Sequence, residues 1–319
     1  DSDGNIIRDL DEVKLVLDLK ELKEKNIDSV AIVLMHSWKN SVHEERCYEI
    51  AKAQGFSNIS VSSKVIPLIK IVGRGQTTVV DSYLYPILHR YILSIEEELG
   101  GIPIEFMQSS GGLTNSLSLN GKDALMSGPA GGVIGAAKIG NLNKIDNIIG
   151  FDMGGTSTDI SKYSGEFEKV VEVEAGGIEF QASSLDIKTI AAGGGSLLWF
   201  DGSKLQVGPE SAGSNPGPVC YGLGGKLALT DANLILNRIN SEYFPSVFGP
   251  DQDQKLDKNL AQKEFKKLKD VINKATSSTF SIEELALGFI DIANEKMSNA
   301  IKEISVSRGY DIREYGLVC

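Results

Sequence analysis

The sequence has few of the residues that build thiolate metal sites, disulfide frameworks or membrane spans. Three cysteines and three histidines occur among 319 residues. Cys47, Cys220 and Cys319 are far apart, and an odd number of cysteines without metal-ligand spacing predicts reduced thiols in a cytoplasmic protein. The longest apolar runs, such as residues 30–35, are shorter than the roughly 20 residues that span a bilayer. No signal-peptide pattern opens the chain.

Basic residues are also in the minority, with 32 Lys and Arg against 43 Asp and Glu and a formal net charge of -11. A surface of this sign repels nucleic acid and anionic membranes at long range, so we expect neither as a partner. A phosphate-bearing ligand would have to be held locally, by backbone N–H groups, a metal ion, or both. The hydrophobic fraction of 41% is typical of a soluble globular protein.

Helical and strand patterns of apolar residues alternate along the first half of the chain. Residues 11–25 and 43–54 predict helices, whereas 30–35 and 59–61 predict strands, the first of them buried on both faces. This alternation predicts an α/β architecture. An apolar-periodic stretch interrupted by Pro86 then ends at a glycine pair.

Later segments give two further helix signals. Residues 127–129 predict a helix start with Ser127 as N-cap, which we favour over ligand contact because Pro129 lies near the first helical position. The small residues that follow would let this helix pack closely against a neighbour. Near the end, Ser281 and Glu284 form a capping box that opens a long amphipathic helix.

Between these helices, residues 147–174 predict three consecutive strands. The strands cover 147–152, 157–163 and 167–174, and tight glycine-containing turns separate them. Consecutive strands joined by tight turns form an antiparallel meander. The first turn of this meander is the most informative part of the sequence.

That first turn combines acidic, glycine and hydroxyl residues after an apolar strand. In order they are Asp152, Gly154, Gly155, Thr156, Ser157, Thr158 and Asp159. Glycines let a bulky anion approach the main chain, so that successive N–H groups can cradle phosphate oxygens while the hydroxyls add hydrogen bonds. Asp152 and Asp159 are the candidate ligands of a hydrated Mg²⁺. An ordinary hairpin turn is the alternative, but it requires neither the acids nor the hydroxyls.

A second glycine run comprises Gly193, Gly194 and Gly195. It forms either a second anion-binding turn or substrate loop, or a turn that connects two strands, and the residues alone do not decide. Glu210 and Asp231 are candidate acids or ligands, although surface and capping roles are more common for lone carboxylates. The sequence assigns no general base.

The segment 151–159 resembles the Asp-x-Gly-Gly-Thr phosphate signature of acetate kinase, sugar kinases, actin and the heat-shock chaperone ATPases. More closely, the chain is similar to the hydantoinase A, acetone carboxylase and 5-oxoprolinase family. The resemblance covers nearly the whole chain, because several further strings agree with the family in order: 74–77, 83–86, 108–113, 127–132, 191–196, 207–213, 216–221 and 230–234. The strings at 33–37, 244–250 and 307–311 look most like eukaryotic-type 5-oxoprolinases.

The resemblance implies an actin-like, ribonuclease H-like ATPase fold that holds a nucleotide between two lobes, each with its own phosphate loop. Residues 1–64 would be the end of a hydantoinase A N-terminal-type domain. Residues 65–319 would be the hydantoinase A/oxoprolinase domain, with the phosphate loop from about residue 146. No first copy of the phosphate signature occurs in the opening residues, so we expect an incomplete first lobe and an inactive central fragment of a longer chain. Family context favours a functional role for residues 193–195.

For activity, the resemblance implies ATP-dependent hydrolysis of 5-oxo-L-proline to L-glutamate, with ADP and phosphate as the other products. ATP and Mg²⁺ would be the cofactors, a small lactam the substrate, and a cytoplasmic homodimer in glutathione metabolism (the γ-glutamyl cycle) the assembled enzyme. Two alternatives stay open. One is an ATP-dependent hydantoinase or acetone carboxylase-type subunit, and the other is a non-enzymatic nucleotide-switched module of the actin and heat-shock chaperone type.

Overall fold

A computed structural model describes residues 1–175 and 177–319 and confirms the α/β architecture. Two compact units make up the chain: unit 1 contains residues 1–134 and 167–186, and unit 2 contains residues 135–166 and 187–319. The predicted boundary at residue 64 lies inside unit 1, and as a division between family domains it stays a prediction. No helix in the described part of the chain is long and apolar enough to cross a membrane.

Nine helices and twelve strands are numbered here in chain order within the described residues. The helices are α1 Glu12–Glu24, α2 Val42–Ala53, α3 Ser62–Val65, α4 Ile71–Glu98, α5 Gly121–Ala124, α6 Ser127–Leu142, α7 Leu229–Ile235, α8 Lys258–Thr276 and α9 Ile282–Ile304. The strands are β1 Ser29–Ile32, β2 Asn58–Val61, β3 Phe106–Met107, β4 Leu113–Thr114, β5 Asn147–Met153, β6 Thr158–Ser164, β7 Lys169–Ala175, β8 Ile178–Leu185, β9 Ile187–Ile190, β10 Ser196–Phe200, β11 Leu205–Ser211 and β12 Gly316–Val318.

In unit 1, the parallel pair β1 and β2 packs with helices α1 and α2. Leu19, Ile50 and Phe56 form the buried centre of this layer. Strand β1 is shorter than predicted and only half-buried. It ends at Ile32 because the following chain enters a turn in which the Leu34 N–H donates to the Glu44 carboxylate over 2.8 Å.

Helix α4 passes through Pro86 without a break. Proline lacks the N–H that would donate to the Ser82 carbonyl one turn earlier, a loss that normally kinks or ends a helix. Here the Ser29 hydroxyl donates to the Ser82 carbonyl oxygen over 2.5 Å. The Ser82 carbonyl oxygen, which Pro86 leaves without its helical donor, therefore keeps a hydrogen-bond partner. This is consistent with one continuous helix through Pro86.

Helix α6 begins at Ser127, so the prediction of Ser127 as N-cap is wrong by one position. The Ala130 N–H donates to the Met126 carbonyl oxygen over 3.1 Å, which gives Met126 the capping position and places Ser127 inside the first turn.

The third strand of the predicted meander does not pair with the second. Strand β7 forms an antiparallel hairpin with β8 in unit 1, and β9 takes the place beside β6. The hairpin buries Val173 and Phe180 against Val80 and Met126. Its backbone is also tied to α4, since the Gln181 N–H donates to the Thr77 hydroxyl over 2.8 Å. An alternating pattern predicts a strand but not its partner, and these contacts decide the pairing.

Unit 2 is built on a four-stranded sheet in the order β12-β5-β6-β9. Helix α9 covers one face, where Ala300 and Ile304 pack on Ile149 and Ile160. The C-terminal half of α6 covers the other face at close range. A Cβ at Gly150 would lie 3.2 Å from the Ala136 Cβ, so the small residues of α6 permit the predicted tight packing.

A second core in unit 2 joins α7, α8 and α9 to the β10–β11 hairpin. Phe265 and Phe289 are fully buried there with their rings edge to face. The predicted capping box of α9 is confirmed, because the Glu284 N–H donates to Ser281 Oγ and the Ser281 N–H donates to the Glu284 carboxylate. This core holds the start of α7 and the end of β11, both of which reach the site described next.

Candidate functional site

Residues 154–157, here called the glycine turn, connect β5 to β6 within unit 2. The last ladder pair is Met153 with Thr158, and the Gly154 N–H donates to the Ser157 carbonyl oxygen over 2.9 Å. Gly154, Gly155 and Thr156 are exposed, and no side chain packs over the added-Cβ position of Gly155. The sequence therefore places this turn correctly, and the structure leaves its tip open.

Residues 193–195, here called the glycine brace, lie directly against that turn. The Gly194 N–H donates to the Gly154 carbonyl oxygen over 3.0 Å, and the Gly195 N–H donates to the Gly155 carbonyl oxygen over 2.6 Å. A Cβ at Gly193 would lie 2.8 Å from the Gly154 oxygen, and one at Gly195 would lie 2.9 Å from the Gly155 oxygen. Two glycine segments that are far apart in sequence thus meet main chain to main chain, at a distance that only glycine allows.

This contact sets the direction of the N–H groups in the glycine turn. In a trans peptide the carbonyl oxygen and the following N–H point in opposite directions. Because the Gly154 and Gly155 carbonyls face the brace, the N–H groups of Gly155 and Thr156 point away from it. No group in the described chain accepts a hydrogen bond from these two N–H groups or from that of Ser157. Consecutive unpaired N–H groups are a feature of backbone anion sites such as phosphate-binding loops.

The two predicted metal-binding acids lie side by side at the start of this turn. Asp152 on β5 is directly opposite Asp159 on β6, and Asp159 is opposite Thr189 on β9. The Thr189 hydroxyl donates to Asp159 Oδ1 over 2.6 Å, whereas Asp152 is exposed. Like charges directly opposite each other in a sheet repel. A cation bound between them would relieve that repulsion.

Two carboxylates fit a magnesium ion better than a caged transition metal. No cluster of three or more His, Cys, Asp or Glu side chains suited to a metal occurs among the described residues. Mg²⁺ commonly takes only one or two protein carboxylates and completes its octahedral shell with waters and phosphate oxygens. Asp152 and Asp159 therefore suit this ion, and the metal assignment stays a prediction.

The three hydroxyl residues have different surroundings. Thr156 is exposed and Ser157 is partly exposed at the tip of the turn. Thr158 is fully buried, and its hydroxyl donates to the Ala192 carbonyl oxygen over 2.5 Å. The Thr158 side chain thus ties β6 to the start of the glycine brace, and this geometry lends no support to its predicted contact with a ligand.

The N–H groups of the glycine brace are already used inside the protein. The Gly193 N–H donates to Ser196 Oγ over 2.9 Å, and those of Gly194 and Gly195 donate to the glycine turn. The brace therefore serves as a strand-connecting turn that supports its neighbour, which is the structural alternative that the sequence left open. Contact between these three glycines and a ligand stays a prediction.

Two residues behind the brace escaped the sequence analysis. The Thr230 N–H and hydroxyl both donate to the Gly194 carbonyl oxygen over 2.8 Å, and the Ala212 N–H donates to the Gly195 carbonyl oxygen over 2.8 Å. Neither residue has a local sequence signal for this role, because each acts through a contact between segments distant in the chain. The strings 207–213 and 230–234 had marked Ala212 and Thr230 only as parts of a family resemblance.

Asp231 has the capping role that its sequence context favoured. Its carboxylate is fully buried and accepts the N–H groups of Ala228 and Cys220 over 2.8 Å each. Burial raises the pKa of Asp231 despite these hydrogen bonds, and burial together with the Asp231 carboxylate raises the pKa of the Cys220 thiol. Asp231 therefore anchors the first turn of α7, while Glu210 is exposed and its candidate role stays a prediction.

Comparison with known proteins identifies the family to which this chain is similar. The model of the hydantoinase/oxoprolinase family matches residues 74–319, and that of the hydantoinase/oxoprolinase N-terminal region matches residues 1–55. The chain is 43% identical to 5-oxoprolinase 1 of Arabidopsis thaliana over 312 residues, covering 94% of this chain and 25% of that protein. It thus spans about a quarter of the length of such curated relatives.

Two solved structures share the fold. An acetone carboxylase in its nucleotide-free form superposes with a TM-score of 0.81 at 23% identity, covering 99% of this chain and 45% of that one. The ATP-dependent caprolactamase from Pseudomonas jessenii superposes with a TM-score of 0.76 at 32% identity, covering 99% of this chain and 46% of that one. On the extent of the family match, this chain belongs to the hydantoinase/oxoprolinase family.

Proposed function

We propose that the protein containing this chain hydrolyses 5-oxo-L-proline to L-glutamate and drives the reaction by cleaving ATP to ADP and phosphate. The observation that carries this proposal is the glycine turn, with three unpaired N–H groups beside two opposed carboxylates. The 43% identity to 5-oxoprolinase 1 over 94% of the chain supports the choice of substrate.

The character of the turn supports the proposal that the protein binds ATP. A chain with a formal net charge of -11 cannot attract a polyphosphate through its overall field, so the phosphates need local donors. The unpaired N–H groups of Gly155, Thr156 and Ser157 would supply those donors, and the exposed Thr156 hydroxyl would add another. We assign the fold to the actin-like, ribonuclease H-like ATPases, in which a nucleotide lies between two lobes.

Asp152 and Asp159 would hold Mg²⁺ in this site. When bound, the ion supplies positive charge that offsets the phosphate oxygens during phosphoryl transfer. Thr189 orients Asp159 through its hydroxyl and leaves the second carboxylate oxygen of Asp159 free. The remaining work of these residues is positioning, which provides most of the catalysis in phosphoryl transfer.

The chemistry requires activation of a resonance-stabilised lactam. Attack of the lactam oxygen on the γ-phosphorus breaks the bond to ADP and makes the ring carbon electrophilic. Water adds to that carbon, and the C–N bond breaks with the electron pair and a proton going to nitrogen. A second water hydrolyses the resulting acyl phosphate to glutamate and phosphate. The glycine turn would hold the γ-phosphate through its unpaired N–H groups, and this positioning is its contribution to the reaction.

A second candidate is an ATP-dependent enzyme for another cyclic amide or a ketone. It is favoured by the 32% identity to a caprolactamase, an enzyme named for a different lactam. A third candidate is a nucleotide-switched module without turnover, since actin-like folds also serve that role. The first two require ADP release that depends on an added substrate, whereas the third requires nucleotide binding without a product.

The deciding experiment measures ADP release by the intact protein with MgATP and, in turn, 5-oxoproline, hydantoin, caprolactam and acetone. We expect stimulation by 5-oxoproline, with one glutamate formed per ADP. Stimulation by another compound alone would transfer the assignment to that substrate. Nucleotide binding without stimulation by any of them would favour the switch.

Two further features of the proposal concern the assembled protein. We assign it to the cytoplasm because the three cysteines of this chain are free and the family resemblance is to cytoplasmic enzymes. We also expect a homodimer. Light scattering of the intact protein measures the mass that tests this expectation.

A further inference from the structure

Two parallel chains of hydrogen bonds connect the glycine turn to the body of unit 2. In the first, Thr230 at the start of α7 donates to the Gly194 carbonyl, and the Gly194 N–H donates to the Gly154 carbonyl. In the second, the Ala212 N–H after β11 donates to the Gly195 carbonyl, and the Gly195 N–H donates to the Gly155 carbonyl. Gly194 and Gly195 therefore each accept from a fixed element through the carbonyl and donate to the turn through the N–H.

These hydrogen bonds also determine the orientation of the peptide groups in the glycine turn. No side chain packs over Gly155, and the tip of the turn is exposed. Without the brace, the peptide groups at the tip would therefore be free to rotate. Holding the carbonyls of Gly154 and Gly155 on the brace side holds the next two N–H groups on the opposite side. The Gly194 carbonyl and the Gly195 N–H belong to one peptide group, so the bond from Thr230 and the bond to the Gly155 carbonyl are in series and polarise one another.

Thr230 is the member of these chains that a side-chain substitution can test. Its hydroxyl and its own N–H both donate to the same Gly194 oxygen, each over 2.8 Å. The rest of α7's first turn is held independently, because the buried Asp231 carboxylate accepts the Ala228 and Cys220 N–H groups. Removing the Thr230 hydroxyl thus removes one donor to the brace and leaves the helix anchored.

We propose that Thr230 is a positioning residue for the phosphate site, acting through Gly194 on the direction of the N–H groups in the glycine turn. The inference rests on the proposed function, since it assigns MgATP to that turn. Thr230 does not contact the nucleotide. It keeps the Gly155 and Thr156 N–H groups aimed at the phosphates before the nucleotide arrives, so that binding does not have to order them.

The test compares Thr230→Val with Thr230→Ser in the intact protein. Valine keeps the shape of threonine and the backbone N–H but lacks the hydroxyl, whereas serine keeps the donor. Thr276→Val is the matched control, because the Thr276 hydroxyl also donates to a main-chain oxygen, that of Ile272, within helix α8 of unit 2. The readouts are the Kd and KM for MgATP, kcat, and the midpoint of thermal unfolding.

We expect Thr230→Val to raise the Kd and KM for MgATP about 3- to 10-fold, the effect of one hydrogen bond, while Thr230→Ser stays within about 2-fold of the wild type. The control should lower the unfolding midpoint without changing nucleotide affinity. A purely structural role of Thr230 predicts the same pattern as the control and would overturn the inference. If valine prevents folding, Thr230→Ala provides the same comparison with a smaller side chain.

Failure of this inference is separable from failure of the proposed function. If the wild type binds MgATP and Thr230→Val binds it equally well, the positioning role is wrong and the nucleotide site stands. If the wild type does not bind MgATP, the proposed function itself is wrong, and the positioning role is rejected with it.

Discussion

The Gly155 carbonyl oxygen accepts the Gly195 N–H over 2.6 Å, so the main chains of two glycine segments are in direct contact at the candidate phosphate site. This closeness depends on the absence of a side chain at position 195. A Cβ there would lie 2.8 Å from Ser211 Oγ and 2.9 Å from the Gly155 oxygen.

Gly195→Ala should therefore displace the glycine turn and weaken MgATP binding about 5- to 150-fold, because overpacking of this kind costs about 1–3 kcal/mol. Isothermal titration of the intact protein measures the affinity. Gly135→Ala is the matched control, since Gly135 is an exposed helical glycine with open space around its added Cβ. That variant should bind MgATP normally and be slightly more stable. Unchanged affinity in Gly195→Ala would show that the brace does not support the site.

Asp152→Asn should change stability and Mg²⁺ binding in opposite directions. Without a cation, removing one of two opposed charges should stabilise the protein by about 0.2–1 kcal/mol. With nucleotide, the variant should require a higher Mg²⁺ concentration for half-maximal ATP cleavage. Thermal unfolding and a magnesium titration measure the two effects.

The exposed Asp251 in a remote turn provides a charge-matched control, Asp251→Asn, which should change neither quantity. If Asp152→Asn has wild-type magnesium dependence, Asp152 does not hold the ion.

Glu44 should contribute to stability in a pH-dependent manner. Burial on its own raises the pKa of this fully buried carboxyl, but hydrogen bonds from Ser62 and from the Leu34 and Ser63 N–H groups outweigh it and leave the pKa below its usual value of 4.5. A carboxyl whose pKa is lowered by folding stabilises the protein fully above its unfolded pKa. That contribution is lost as the pH falls through the folded pKa.

Glu44→Gln should therefore destabilise the protein by about 3 kcal/mol at pH 7, because an amide nitrogen replaces one of two accepting oxygens. The difference from the wild type should shrink as the pH falls below 4.5. Urea unfolding at several pH values measures this, with the exposed Glu24→Gln as control. A difference that is independent of pH would contradict the assigned ionisation.

One of the three thiols should react rapidly with a thiol reagent in the native protein. Cys319 is exposed, whereas Cys47 and Cys220 are buried. Burial raises the pKa of both buried thiols, aided by the charge of Glu44 near Cys47 and of Asp231 near Cys220, so little reactive thiolate forms. Labelling at pH 8 followed by peptide mapping should modify Cys47 and Cys220 much more slowly than Cys319 in the native protein, and all three rapidly after denaturation. Rapid labelling of Cys47 or Cys220 in the native protein would show that a buried site opens readily.

The sequence predicted those parts of the site and fold that local patterns specify. The glycine turn between β5 and β6 was located from its acids, glycines and hydroxyls, and the α9 capping box was located from Ser281 and Glu284. Pro86 marked an interruption that the structure does not have, since a hydroxyl from β1 replaces the missing donor. The partner of β7 could not be predicted either, because alternation specifies which face of a strand is buried and not which strand lies beside it.

The sequence by itself determined the family, the α/β architecture and the position of the glycine turn, since each depends on neighbouring residues in the chain. Tertiary structure alone decided that the second glycine run supports the first and that the Thr158 hydroxyl is buried. It also decided that Thr230 and Ala212 donate hydrogen bonds to the carbonyl oxygens of the brace. The physical reason is that hydrogen bonds between main-chain groups do not depend on side-chain identity. They leave no sequence pattern except the glycines that permit the approach.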